Sequence, residues 1–134
     1  MSSEIAVDES CVSAFQELKS KRAVNTVIYR LSSTLDAVVL ESQGNLTHDE
    51  LLQSLPADEP RIIVYDLAFA TADGARMNEV VMISWLPEAS GPEHEAAYVR
   101  ASAALRDALD GIQVLVQATG LSALEHRKLV SRLN

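Results

Sequence analysis

Arg61-Ile62-Ile63-Val64-Tyr65-Asp66-Leu67-Ala68-Phe69 and, beyond a turn at Ala72-Asp73-Gly74, Glu79-Val80-Val81-Met82-Ile83-Ser84-Trp85-Leu86 are the stretch that decides the fold of this chain. Ile62 to Tyr65 and Val80 to Ile83 are unbroken apolar runs. A strand that faces water on one side alternates apolar with polar residues, whereas one covered on both faces does not. The two runs therefore read as central strands, and the Asp-Gly pair between them makes them a hairpin. Layers must cover both faces of that hairpin.

Upstream, residues 24–31 and 36–41 are rich in Val, Ile and Tyr and read as two further strands separated by Ser32-Ser33-Thr34. Ahead of them a helix is expected over 8–19, because Val7, Cys11, Phe15 and Leu18 recur at steps of four, four and three. Acidic residues at its start and Lys19, Lys21 and Arg22 at its end suit the helix dipole. A short helix follows at Thr47-His48-Asp49-Glu50, with Thr47 and Glu50 spaced as a capping box and Leu46 placed to staple onto Leu51. Pro56 ends it.

Downstream, the longest helix is expected over 92–110. Ser90 and Glu93 have capping-box spacing, Gly111 supplies a left-handed stop, and Tyr98, Ala101, Leu105, Ala108 and Leu109 form the apolar face. A short strand over 113–117 leads to a last helix over 122–132. The expected fold is α+β, a central five-stranded mixed sheet sandwiched between helices, in a single domain over 1–134 with residues 1–6 as a tail. No internal repeat or low-complexity tract divides the chain.

With 48% hydrophobic and 22% charged residues, the 134-residue chain suits an ordinary soluble domain. Eleven basic and nineteen acidic residues give a net charge of −8. That balance argues against nucleic acid and against broad adhesion to anionic lipid, both of which reward clustered Lys and Arg. No apolar run is long enough to span a bilayer, the N-terminus lacks a signal-peptide pattern, and a cytoplasmic protein is expected.

Catalytic chemistry finds little support. The five glycines form no phosphate-cradling fingerprint, and His48, His94 and His126 stand far apart beside one cysteine, so neither a cofactor nor a metal is expected. Cys11 falls on the apolar face of the first helix and reads as packing rather than as a nucleophile. The pairs Asp58/Glu59 and Glu93/Glu95 read as solvated charge. A small α/β enzyme would require a deep polar pocket with convergent titratable groups; no enzyme is expected.

Several segments, in order and at near-matching spacing, resemble the actin-depolymerising factor/cofilin family across nearly the whole chain. They are Ser3 to Val7 with the helix CVSAFQELK (11–19), Leu55-Pro56 through Arg61-Ile62-Ile63-Val64-Tyr65-Asp66, Asp73-Gly74-Ala75-Arg76, and Ile83-Ser84-Trp85-Leu86-Pro87. Tyr98, Ala104-Leu105-Arg106, Leu109-Asp110-Gly111-Ile112 and Gln117-Ala118-Thr119 continue the series. The resemblance implies a monomeric ADF-homology domain that binds actin monomers and filaments and promotes filament depolymerisation and severing. The alternative within the same fold is a glia-maturation-factor or coactosin type, binding the actin-branching complex or filament sides without severing.

The resemblance also implies two surfaces. The monomer side would comprise Ser3, Glu4, Glu95, Arg100 and Arg106, with Arg100 and Arg106 near one helical stripe and Ser3 as a regulatory phosphorylation site. The filament side would comprise Arg76, Asn78, Glu125, Arg127, Lys128 and Arg132. Departures from the family pattern are visible: Glu4 replaces a glycine, Glu93-His94-Glu95-Ala96 replaces a basic-x-basic-Met segment, Ser102 stands at a lysine position, and Asn78 replaces a second lysine. Phosphoinositide binding, which overlaps the actin surface in the family, should be weak at this charge.

Overall fold

The structure is a computed structural model that describes residues 5–112 and 114–132. Six strands form one mixed sheet in the order β1-β3-β2-β4-β5-β6. They are β1 (Ala6–Val7), β2 (Thr26–Leu31), β3 (Ala37–Gly44), β4 (Arg61–Ala70), β5 (Arg76–Trp85) and β6 (Val114–Ala118). The helices are α1 (Glu9–Lys19), α2 (His48–Ser54), α3 (Pro92–Ala108) and α4 (His126–Ser131), with 3-10 turns at Glu88–Ser90 and Leu121–Leu124.

The expected hairpin is present, with β4 and β5 antiparallel from Arg61↔Trp85 to Ala70↔Arg76. Its two apolar runs serve two cores, as strand alternation requires. Ile62, Val64 and Met82 face α1 and α3 together with Cys11, Phe15, Leu18, Tyr98 and Leu105. Ile63, Tyr65, Leu67, Val81, Ile83 and Trp85 face the other way, onto Leu51 of α2 and onto Leu124 and Leu129 near the C-terminus.

The sheet departs from expectation by one strand. Residue 6, expected in the tail, belongs to a strand: Ala6 and Val7 run parallel to β3, and the Ala6 amide donates to the Asp36 carbonyl at 3.0 Å. Two residues are too short for a hydrophobic period to register. Residues 1–4, which include Ser3 and Glu4, and Gln113 of the expected last strand lie outside the described residues.

Helix ends follow local chemistry. Thr47 Oγ1 accepts from the Glu50 amide at 3.1 Å and the Glu50 carboxylate accepts from the Thr47 amide at 2.8 Å, completing the expected capping box. The expected Ser90–Glu93 box does not form. Gly91 is the N-cap of α3 at φ +88, Pro92 occupies the first turn, and Ser90 Oγ donates instead to the Pro87 carbonyl at 2.7 Å. Helix α3 stops at Ala108, and Ala108 is exposed rather than part of the apolar face. Gly111 follows at φ +105, and Lys19 Nζ donates to the Asp110 carbonyl at 2.9 Å, so one ammonium group serves the negative ends of both α1 and α3.

The expected last helix is broken in two. Glu125 is extended, and the Leu124 carbonyl, which a continuous helix would pair with the Lys128 amide, is taken by His48 Nε2 at 2.7 Å. The Lys128 amide turns to the Glu125 carbonyl. A side chain remote in sequence decides this break, and no local pattern encodes it.

Cys11 is fully buried, and burial, with the nearby Asp8 charge, pushes its thiol up from 9.0 to about 11. A group with a raised folded-state value stabilises the fold below its unfolded value and loses that contribution as pH rises through the folded one. The unfolding free energy from urea titration should therefore fall between about pH 9 and pH 11, by about 3 kcal/mol for a shift of this size. Cys11→Ala should flatten the part of that loss below pH 10. An unchanged slope in the variant would show that another group is responsible.

Candidate functional site

Helix α3 is held to the sheet along one side by Ala97, Tyr98, Ala101, Ser102, Leu105 and Leu109. Tyr98 Oη accepts from the Leu31 amide at 2.9 Å, and Ser102 Oγ lies 2.7 Å from Ser84 Oγ beneath the helix. Ser102 therefore points into the protein. It cannot offer a surface contact, whatever residue type the family carries there.

At about 100° per residue, the opposite side of α3 presents Glu93, Ala96, Arg100, Ala103 and Asp107, all exposed. Glu95, Val99 and Arg106 run as a row along one flank, and Val99 is an apolar side chain with 42% of its surface open to water. Six residues separate Arg100 from Arg106, so they diverge by about 120° around the axis and do not share a stripe. Arg100 stands on the ridge itself and Arg106 in the flanking row. Among the described residues none of Glu93, Glu95, Arg100 and Arg106 enters an ion pair.

The second expected surface lies at the far end of the β4–β5 hairpin. His126 Nε2 donates to the Ala68 carbonyl at 2.8 Å, and Ala68 pairs with Asn78 across the strands, so the start of α4 meets the hairpin there. The side chains nevertheless divide between faces. Asn78 Nδ2 donates to Asp66 Oδ1 at 3.3 Å, and Asp66 in turn lies 3.7 Å from Arg22 at the end of α1. Asn78, and Arg76 two residues before it, thus lie on the α1 side of the sheet by alternation. Glu125, Arg127 and Lys128 belong to the opposite layer, where one Glu125 oxygen holds Arg127 at 3.3 Å and Lys128 at 3.7 Å. Arg132 is exposed at the end of α4.

Sequence reasoning passed over two apolar features here. Met77, 48% exposed, stands opposite Phe69 at the hairpin end, and Val99 interrupts the charged side of α3. The available signal was phase: Val99 falls outside the buried set 97, 98, 101, 105. Phe69 is only half-buried.

A shallow cleft of about 280 Å³ lies between the β2–β3 turn, the loop before β4 and the start of α3, lined in part by Arg30, Asp58, Glu59, Arg61, His94 and Tyr98. Its cations are already engaged: Glu41 takes Arg61 at 3.0 Å and Arg30 at 3.9 Å, and Glu59 takes Arg61 at 3.4 Å. Among the described residues no three His, Cys, Asp or Glu side chains are placed to hold a metal, and no helix is long and apolar enough to cross a membrane.

Residues 4–134 match the family described as cofilin/tropomyosin-type actin-binding protein. The chain belongs to the cofilin/actin-depolymerising factor family. It is 36% identical over 132 residues to Actin-depolymerizing factor 7 of Arabidopsis thaliana, covering 97% of this chain and 95% of that protein. With Actin-depolymerizing factor 3 of the same plant the identity is 32% over 134 residues, covering 98% and 96%. Among solved structures, cofilin of Streptomyces griseoflavus superposes with a TM-score of 0.87 at 29% identity, covering 96% of each chain. The layered α+β arrangement is thus the cofilin fold, and the sequence resemblance to this family was correct.

Proposed function

We propose that this protein binds actin monomers and filaments in the cytoplasm, acting as a monomer, and promotes filament depolymerisation. The observation that carries the reading is the outward side of α3, exposed, charged and without ion pairs among the described residues, with Val99 on its flank, in a chain whose relatives are named actin-depolymerizing factors. The monomer side comprises Glu95, Arg100 and Arg106 together with Ser3 and Glu4. The filament side comprises Arg76, Asn78, Glu125, Arg127, Lys128 and Arg132. No bond is made or broken; a ligand that prefers one filament state shifts the filament toward it, by no more than its difference in affinity. The relatives' names favour this reading over a glia-maturation-factor or coactosin type.

A phosphate on Ser3 would add about −1.5 to −2 charge beside Glu4 and weaken docking on an acidic partner. Phosphoinositide binding is weak, because Glu93 and Glu95 open α3 with negative charge. Co-sedimentation with filaments and a monomer nucleotide-exchange assay, both with actin from the protein's own cell, test the proposal. Binding to neither form would refute it.

The acidic start of α3 gives a separate expectation. Replacing Glu93 and Glu95 with lysine should raise affinity for an actin whose facing surface is acidic and lower it for the native actin, because like charges across an interface cost several kcal/mol. Equal affinities of variant and wild type for both actins would show that these carboxylates do not face the partner.

A further inference from the structure

Two imidazoles meet where the C-terminal segment is fastened to the body of the protein. His48, the first residue of α2, and His126, the first of α4, stand edge-to-face with ring centroids 5.6 Å apart, and Tyr65 of β4 lies 5.9 Å from the His48 ring. Each ring reaches a main-chain carbonyl of another element through Nε2, His48 that of Leu124 at 2.7 Å and His126 that of Ala68 at 2.8 Å. A carbonyl can only accept, so both Nε2 atoms carry hydrogen. In the neutral His48 ring Nδ1 is then bare, and it is buried with no hydrogen-bond partner among the described residues.

We propose that His48 and His126 form a proton-released latch that holds residues 121–131 against α2 and β4 while His48 is neutral. Taking up a proton would give His48 a buried N–H with no acceptor and a charge with no counterion, both of which cost free energy. A protonated His126 at this separation adds like-charge repulsion. Water satisfies both rings once the segment lifts, so proton uptake favours the open form.

Among the described residues neither ring enters an ion pair. On α2, Glu50 is committed to the Thr47 amide and Asp49 is exposed. On β4 the neighbouring Asp66 points to the other face, toward Arg22 and Asn78, and Tyr65 is uncharged at neutral pH, its hydroxyl pushed further up by burial. Glu79 of β5, on the Tyr65 face, pairs across the strands with Leu67. Glu125 is occupied by Arg127 and Lys128. Leu124 and Leu129 are fully buried and anchor the segment, so the latch adds to their burial.

The inference concerns the chain alone and is tested without actin. Hydrogen exchange on the intact protein, corrected for intrinsic rates, compares protection in 121–131 with that in β4 at pH 7.5 and 5.5. Proton uptake linked to opening should lower the segment's protection relative to β4 over this interval. His48→Gln, whose amide can still donate to the Leu124 carbonyl but takes no proton, should hold the ratio constant. An unchanged ratio in the wild type, or a wild-type loss in His48→Gln, overturns the proposal. Imidazole NMR of the wild type provides a readout that needs no variant. Protonation of His48 should coincide with loss of protection at the amides of 126–131, and protonation with those amides still protected refutes the latch.

Discussion

Arg106→Glu should weaken monomer binding to the cognate actin by roughly 30-fold or more while leaving the fold intact. Arg106 is exposed, has no ion pair among the described residues, and lies in the same row of α3 as Val99 and Glu95. Arginines beside a desolvated apolar contact are frequent hot spots, with truncation costs of about 2 kcal/mol or more; reversing the charge adds repulsion from any group that Arg106 pairs with. Because the side chain is exposed and in no ion pair among the described residues, stability should stay within about 0.5 kcal/mol of wild type. Titration of fluorescent actin monomers measures the first quantity and urea unfolding the second. Undiminished affinity would place the docking surface elsewhere on the molecule.

Leu105→Ala should do the reverse, damaging the fold through a residue that no partner touches. Leu105 is fully buried between α3 and the sheet, in the cluster that holds Phe15, Tyr98 and Ile62. Removing a side chain of this size from a closed core costs about 2–5 kcal/mol, the upper part of the range applying where the surroundings cannot collapse. Here Tyr98 is tied to the Leu31 amide and Ser102 lies against Ser84, which restrains α3 on the same side and limits collapse. A loss below about 1 kcal/mol in urea unfolding would show that the helix settles into the space. Actin affinity at a temperature where the variant remains folded should change far less than in Arg106→Glu.

The sequence revealed most where neighbours in the chain carry the information. The β4–β5 hairpin could be read from Ile62 to Tyr65, Val80 to Ile83 and the Asp73-Gly74 turn, and the Thr47–Glu50 box from spacing alone. It failed where a distant group intervenes. His48 takes the Leu124 carbonyl and splits the last helix, and Ser90 is drawn back to Pro87 instead of capping α3. Strand β1 depends on hydrogen bonds to β3 rather than on any period of its own. At the candidate site, family resemblance supplied the positions but not their directions. Ser102 faces Ser84, Arg100 stands on the ridge with Arg106 about 120° away on its flank, and Asn78 lies across the sheet from Glu125.

The Lys19 ammonium that bonds the Asp110 carbonyl also fills the space where a side chain at position 111 would begin: a Cβ on Gly111 would fall 1.6 Å from Lys19 Nζ. A methyl group at 111 would displace the amine from the Asp110 carbonyl and would also have to adopt a left-handed backbone that L side chains rarely take. The glycine thus leaves room for the cation that ties the tail of the first helix to the exit of the long one.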